Sequence, residues 1–182
     1  IDWKKVKEAG IDFAIIRVGY RGYGTGKLVQ DPLAVTNLKG ATAAGIKIGV
    51  YVFSQAINLE EAVEEASMAL EMVKGYKLDY PIFIDSEYST SAKDGRADHI
   101  STAQRTAICE AFCKTVANSG YRTGIYASKS WFMYQLNVAQ LEKYHIWVAH
   151  YTTATDYARR YDMWQYTATA SVPGISGDVD MN

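Results

Sequence analysis

The chain has 182 residues, a length typical of one domain with its own core. Hydrophobic residues make up 48% and charged residues 21%, a balance that excludes a disordered chain. The formal net charge is −1 and no lysine- and arginine-rich run is present, so the composition gives no indication of binding to nucleic acid or to an anionic membrane surface.

The first part of the chain predicts a helix, a strand, a second helix and a second strand. The first helix covers IDWKKVKEAG with Gly10 as its C-cap, and the strand IDFAIIRVGY follows. Asp31 is expected to be the N-cap of the second helix, because a proline at the next position suits the first helical turn. The strand IKIGVYVFSQ comes after that helix.

The segment NLEEAVEEASMALEMVKGY gives the clearest helical pattern. Asn58 is expected to cap its start and Glu61 to complete a capping box, while Lys74 lies near the end, where the helix dipole favours a cation. We interpret its run of glutamates as a solvent-exposed face.

The second part continues the alternation. A helix is predicted from Ser101 to Gly120, with Ser101 and Gln104 as a capping box. Cys109 and Cys113 lie on one face of it and are expected to be buried free thiols, because no third metal ligand is close in sequence. The other predicted elements are the strands YPIFIDSEY, YRTGIYAS, HIWVAHYT and YDMWQYT and the short helix KSWFMYQL.

This alternation predicts parallel βαβ units, with helices covering a mostly parallel sheet. Six strands with four or five helices favour an irregular or incomplete α/β barrel, similar to a TIM barrel, over a regular eightfold one. An open doubly wound sheet stays as an alternative, but the stretch GYRGYGTG lacks the G-x-G-x-x-G order of that fold. We interpret that stretch as a mobile or substrate-lining loop. No linker divides residues 1–182, which predicts a single domain.

Two acids, Asp85 and Glu87, end the apolar segment PIFI. Residues two apart in a strand point to the same face, so the two carboxylates are expected to converge. A carboxylate that is buried beside another resists ionisation. Either a structural partner such as Arg17 neutralises the charge of the pair, or the two acids take part in catalysis.

In a barrel of parallel strands the functional residues collect at the carboxyl ends of the strands. Those ends carry two acids among tyrosines and tryptophans, a set typical of glycoside cleavage, in which one carboxylic acid protonates the leaving oxygen and a second carboxylate stabilises positive charge. No cofactor is required and no metal-ligand cluster is present. The candidate residues are Arg17, Tyr20, Tyr51, Phe53, Asp85, Glu87, Tyr126, Trp147, Tyr151, Trp164 and Gln165.

Seven segments, taken in order, resemble glycoside hydrolase family 25, the Chalaropsis-type lysozymes of phage endolysins and bacterial autolysins. They cover nearly the whole chain, and the ordered set is specific. The segments are IDWKKVKEAGIDFAIIRVGY, GIKIGVYVFSQA, YPIFIDSE, GYRTGIYAS, IWVAHY, MWQYT and GISGDVDMN.

The resemblance implies an irregular β/α barrel that hydrolyses the β-1,4 bond between N-acetylmuramic acid and N-acetylglucosamine in peptidoglycan. It implies that Glu87 is the general acid, Asp85 its companion carboxylate and Asp180 a further acid of the site. It also implies a catalytic domain that acts on glycan strands, at the cell wall or outside the cell. The groove positions that match are Tyr51, Tyr126, Trp147, Tyr151 and Gln165.

The sequence departs from the family pattern at its start. Family members begin with a strand that carries a G-x-D-V-S-like motif, whose aspartate belongs to the active-site acids. This sequence starts at the following segment, IDW, so the first strand is expected to be absent from it, and Asp2 does not replace that acid.

The sequence is also compatible with two other functions. One is a chitinase-like glycosidase, because another barrel family also ends a strand with D-x-E. The other is a non-catalytic domain that binds sugars or cell wall. The first ten residues are not those of a signal peptide, no apolar run is long enough for a transmembrane helix, and the near-neutral charge predicts that a separate module supplies wall binding. For the second acid, Asp85, we expect an ionised side chain that assists the N-acetyl group of the substrate.

Overall fold

The computed structural model describes residues 1–182, which form six helices and nine strands. The helices are α1 (Trp3–Glu8), α2 (Ala34–Ala43), α3 (Leu59–Met72), α4 (Thr102–Asn118), α5 (Lys129–Tyr134) and α6 (Val138–Leu141). The strands are β1 (Phe13–Arg21), β2 (Leu28–Gln30), β3 (Lys47–Phe53), β4 (Ile82–Asp85), β5 (Thr123–Ser128), β6 (His145–Ala149), β7 (Met163–Gln165), β8 (Thr167–Ala170) and β9 (Val179–Met181).

Seven of the strands form one sheet in the order β2-β1-β3-β4-β5-β6-β7, and β8 pairs with β9 separately. All neighbours in the large sheet are parallel except β1 and β2, which are antiparallel. The predicted mixed α/β fold with a mostly parallel sheet is confirmed. The hydrogen-bonded ladder has two ends, at β2 and β7, and does not close into a TIM barrel.

The two faces of the sheet bury different residues. On β4, Ile82 and Ile84 belong to a core of 34 buried residues that includes residues of the helices. Phe83 lies on the opposite face, in a small aromatic cluster with Tyr126 and Trp147. This alternation follows from the two-residue period of a strand, and it places Asp85 on the same face as Phe83.

The predicted cap of α3 is confirmed, because the Asn58 side chain accepts a hydrogen bond from the backbone N–H of Glu61 at 2.8 Å. The solvent-exposed face predicted for its glutamates is wrong at Glu65, which is fully buried. Glu65 Oε1 accepts a hydrogen bond from Arg21 Nε at 2.8 Å. The guanidinium at the end of β1 compensates the glutamate charge, so an acid on this helix can face the core.

Asp31 does not cap α2, which begins three residues later at Ala34. Instead Asp31 Oδ1 accepts from the backbone N–H of Leu33 at 2.9 Å, and Oδ2 accepts from Arg17 Nε at 2.8 Å. The side chain therefore fixes a turn before the helix and binds β1, because the arginine is a stronger partner than a helix terminus.

The glycine-rich stretch after β1 is part of an antiparallel hairpin with β2, closed by a hydrogen bond from Gly22 N to Lys27 O at 2.9 Å. A substrate-lining role is not supported, because residues 22–27 do not line the large cavity described below, and the mobility of the loop stays a prediction. Gly26 adopts φ +69°, a conformation that favours glycine.

The start of α4 is as predicted, with Ser101 Oγ accepting from the backbone N–H of Gln104 at 3.2 Å. The Gln104 side chain does not complete a capping box and donates to the carbonyl of Ile57 at 2.6 Å. Cys109 and Cys113 are both buried and free, as expected. None of the helices combines the length and the apolar composition that crossing a membrane requires.

Candidate active site

A cavity of about 760 Å³ lies on the sheet face that carries the aromatic cluster. Five acidic residues line it. Three of them have a raised pKa: Asp85 at the end of β4, Glu87 two residues further on, and Asp180 on β9. The other two are Asp12 and Asp178. The two carboxylates predicted to converge therefore do so, and the acid from the far end of the sequence joins them.

Asp85 is the most buried of the three acids, with 5% of its surface exposed. Its Oδ1 atom is buried without a hydrogen-bond partner. Burial raises the pKa of Asp85 well above its usual range, and the nearby charges of Glu87 and Asp180 add to the effect, while Arg17 opposes it.

Glu87 lies beyond the end of β4, not in the strand as predicted. Burial raises the pKa of Glu87 from 4.5 to about 7, and the charge of Asp180 contributes. Burial also raises the pKa of Asp180, whose side chain is more exposed. At neutral pH Glu87 is thus close to half protonated, as an acid that donates a proton requires.

These pKa shifts do not support the expectation that Asp85 is simply the ionised partner of Glu87. Desolvation opposes a charge on both side chains, and each charge disfavours the other. The physical description is a pair that titrates together and retains a shared proton near neutral pH.

The wall of the cavity is aromatic. The Trp147 ring is in edge contact with Tyr126 at 4.5 Å, Phe83 at 5.1 Å and Tyr51 at 6.3 Å between ring centroids. Its indole N–H donates to Asn182 Oδ1 at 2.7 Å. The tryptophan is therefore held in one orientation, with a rigid apolar surface beside the acids.

Gln165 orients two tyrosines of the site. Its side-chain oxygen accepts hydrogen bonds from the hydroxyls of Tyr126, at 2.8 Å, and Tyr151, at 2.9 Å. Burial raises the pKa of Tyr126 and of Tyr51, and the charge of Asp85 acts in the same direction. Both phenols consequently stay neutral across the working range of the acids.

Arg17 lines the cavity but does not hydrogen bond to the acid pair. Its Nε is paired with Asp31, and its guanidinium lies 5.5 Å from the ring centroid of Tyr20. The structural role considered for Arg17, as the direct partner that satisfies Asp85, is not seen; its charge acts on Asp85 only from a distance.

Four candidate residues do not line the cavity: Tyr20, Phe53, Tyr151 and Trp164. Tyr151 contacts it only through its hydrogen bond to Gln165. Phe53 is in register with Asp85 on the neighbouring strand but does not line the cavity. Trp164 packs against the main core on the other face of the sheet, and its indole N–H donates to the carbonyl of His150 at 2.8 Å. Its position follows from strand alternation, since Gln165 next to it points to the acids.

The sequence reasoning missed Phe83 and Asn182, which contact Trp147. The sequence could have indicated Phe83, because it lies two residues before Asp85 in the same strand and therefore on the same face. Asn182 had none, because only the folded chain brings it to β6. No group of three or more histidine, cysteine, aspartate or glutamate side chains is arranged to hold a metal ion.

The model of the family described as "Glycosyl hydrolases family 25" matches residues 1–175. Lysozyme M1 of Streptomyces globisporus is 30% identical over the whole chain, and the autolytic lysozyme of Clostridium acetobutylicum is 26% identical. The chain spans 63% and 51% of the length of these two relatives.

Solved structures give the same result. The modular autolysin LytC of Streptococcus pneumoniae, in complex with a synthetic peptidoglycan ligand, has a TM-score of 0.85 and 31% identity. The match covers 98% of this chain and 42% of LytC. A bacterial lysozyme of Streptomyces coelicolor has a TM-score of 0.77 and 28% identity, with 99% and 84% of the two chains covered.

Paired carboxylates in an aromatic cavity at the carboxyl ends of parallel strands are typical of a glycoside hydrolase. Within that class the chain belongs to glycosyl hydrolases family 25, because the family model covers all but its last seven residues.

Proposed function

We propose that residues 1–182 are a single catalytic domain, an irregular β/α barrel that hydrolyses the β-1,4 bond between N-acetylmuramic acid and N-acetylglucosamine in peptidoglycan. The observation that carries this proposal is Glu87. It combines a pKa of about 7 with a place in an open aromatic cavity beside Asp85 and Asp180. A domain that only binds sugars has no need of an acid held near half protonation.

Glu87 acts as the general acid. It donates its proton to the glycosidic oxygen as the bond from that oxygen to the anomeric carbon breaks, so that the leaving sugar departs as an alcohol. Loss of the proton leaves Glu87 negatively charged. The partly buried site makes this charge costly, which raises the pKa and keeps a proton on Glu87 near neutral pH until the leaving oxygen takes it.

The substrate supplies its own nucleophile in this mechanism. The carbonyl oxygen of the N-acetyl group attacks the anomeric carbon, and Asp85 and Asp180 orient the group and stabilise the positive charge that develops. Water then opens the cyclic intermediate, and Glu87 takes the proton from that water. The charge that Asp85 needs arises as the proton shared with Glu87 is passed to the leaving oxygen.

The aromatic wall and the fixed tyrosines position the sugar. Trp147 and Tyr51 offer flat faces beside the acids, and Gln165 holds Tyr126 and Tyr151 in place. Orientation of the reacting groups is worth several orders of magnitude in rate, so these contacts contribute to catalysis as well as to affinity.

The names of the relatives support the substrate class. Two are lysozymes, and LytC was solved with a synthetic peptidoglycan ligand. We propose that this chain likewise acts on the glycan strands of the cell wall, outside the cell membrane. LytC is described as modular, and the near-neutral charge of this chain fits a wall-binding module elsewhere in the protein.

The test is digestion of purified peptidoglycan, followed by borohydride reduction of the products. A muramidase creates a new reducing end on N-acetylmuramic acid, which appears as the reduced muramitol form in mass spectrometry. New ends on N-acetylglucosamine, or faster turnover of chitin oligosaccharides, would overturn the proposed specificity. Release of no reducing ends, together with retained binding to peptidoglycan, would favour the non-catalytic function.

A further inference from the structure

The segment that carries Glu87 has no regular secondary structure. Residues 86–101 lie between β4 and α4 and form neither a helix nor a strand. Ser86 N still donates to the carbonyl of Tyr126 on β5 at 3.0 Å, but the backbone of Glu87 makes no hydrogen bond to another backbone group. The position of this acid therefore depends on what holds the residues next to it.

Trp131 on α5 contacts the residues on both sides of Glu87. Its indole N–H donates to Ser86 Oγ at 3.2 Å. Its ring is in edge contact with Tyr88, with the ring centroids 4.3 Å apart and the planes at 88°. Ser86 and Tyr88 face this tryptophan and do not line the cavity, whereas Glu87 between them does. The two contacts thus hold the backbone from behind while the carboxyl group points to the substrate side.

Trp131 is itself fixed and has no access to a ligand. Only 3% of its surface is exposed, and it does not line the cavity. Its backbone N–H donates to Ser128 Oγ at 3.1 Å, which caps the first turn of α5. The guanidinium of Arg105 lies 4.7 Å from its ring centroid. Any effect of Trp131 on catalysis must therefore pass through the residues that it contacts.

The far end of the segment is bound to the same buried group. Arg105 donates to the carbonyls of Ala97 at 3.0 Å and Asp98 at 3.2 Å. The Asp98 carboxylate in turn accepts from the backbone N–H of Ser89 at 3.1 Å, from its hydroxyl at 2.8 Å, and from Gly95 N at 2.9 Å. The segment is consequently held on both sides of its middle, and the acid lies in the part that Trp131 holds.

We propose that Trp131 is a positioning residue for the reaction: through Ser86 and Tyr88 it holds Glu87 at the place where the leaving oxygen must be protonated. This inference rests on the proposed function, in which Glu87 is the general acid. The magnitude at stake is large, because a displacement of about 1 Å in a reacting group can cost about 100-fold in rate. The opposing interpretation is that Trp131 only fills the core.

Trp131→Phe keeps a ring beside Tyr88 and removes the donor to Ser86. We expect kcat on solubilised glycan strands, per folded protein, to fall by about 10-fold, with KM changed by less than about 2-fold. Ser86→Ala should cause a similar loss, and the double variant should lose no more than the single ones, because both remove the same hydrogen bond. Trp164→Phe is the matched control, since its indole N–H donates to the carbonyl of His150 and has no contact with the Glu87 segment.

A second measurement does not depend on activity. Titration of the Glu87 carboxyl by ¹³C NMR should show that its pKa falls from about 7 by about half a pH unit or more in Trp131→Phe, because the released side chain reaches more water. The acids that act on it, Asp85 and Asp180, are the same in every variant. A residue that only fills the core would leave this titration unchanged.

Normal kcat in folded Trp131→Phe protein, an equal loss in Trp164→Phe, or additive losses in the double variant would overturn the positioning role. If Trp131→Phe does not fold, Ser86→Ala makes the same test with a smaller change. If the wild-type protein cleaves no glycan, the proposed function fails, and the titration alone decides whether Trp131 positions the acid. A Glu87 titration that is the same in wild type, Trp131→Phe and Ser86→Ala would then exclude it.

Discussion

Replacing Glu87 by glutamine should lower activity and raise stability, and the gain in stability should depend on pH. The pKa of Glu87 is raised from 4.5 to about 7 in the folded protein. A carboxyl group with a raised pKa stabilises the fold in its protonated form, and this stability is lost as the pH rises from 4.5 through about 7. Glutamine stays neutral at every pH and avoids the loss.

The size of the effect follows from the same pKa. The pKa rises from 4.5 to about 7, and at about 1.4 kcal/mol for each pH unit this difference corresponds to about 3.5 kcal/mol. Solvent at the partly exposed end of the side chain screens part of this cost, so we expect a gain of about 1 to 3 kcal/mol at about pH 8 and almost none at about pH 4. Loss of the general acid should slow turnover by about 10²- to 10⁴-fold.

Chemical unfolding at both pH values measures the stability, and release of reducing ends from peptidoglycan measures turnover. Glu71→Gln, which makes the same chemical change at an exposed residue near the end of α3, is the control and should alter neither. A stability gain that is equal at the two pH values would refute the electrostatic reasoning. Near-normal turnover by folded Glu87→Gln protein would refute the catalytic role.

Three further outcomes are expected. Asp85→Asn should leave stability equal or raised near neutral pH while turnover falls sharply, and Asp180→Asn should lower turnover in the same way. If either variant melts at a clearly lower temperature yet keeps full specific activity, the replaced acid has a structural role. Arg21→Met should destabilise the fold by about 3 kcal/mol at about pH 8, because it leaves Glu65 without its partner. The loss should be smaller at about pH 5, because Glu65 is then protonated. Equal losses of unfolding free energy at the two pH values would contradict this. Sedimentation with whole walls should show weak binding of this chain, and tight binding that disappears at about 0.5 M salt would disprove the need for another module.

The sequence predicted the elements in which apolar residues recur with the period of a strand or a helix. All six predicted strands correspond to strands of the large sheet, because their apolar runs are buried on at least one face. Strands β2, β8 and β9 were missed, since they are short and none of their residues is buried, so they show no apolar pattern. The buried Glu65 was also missed, because its compensation by Arg21 joins positions 44 residues apart.

The sequence predicted those site residues that lie at the carboxyl ends of strands. Strand alternation brought Asp85, Tyr126 and Trp147 to one face, and the same rule removes Trp164 from it. The resemblance to a known family contributed Asp180, which no periodicity links to the other acids. Hydrogen bonds between side chains, such as those made by Gln165, depend on atomic positions that a sequence does not encode locally.

The shared acceptor on Gln165 determines what the cavity offers to a ligand. Tyr126 and Tyr151 each have one hydroxyl hydrogen, and both hydrogens point to the same amide oxygen. Their phenolic oxygens therefore present only lone pairs to the interior. Apart from the proton held by the acids, these groups offer only acceptors. They therefore bind a ligand through its N–H and O–H groups, and the acid proton is left for the one ligand oxygen that must accept it.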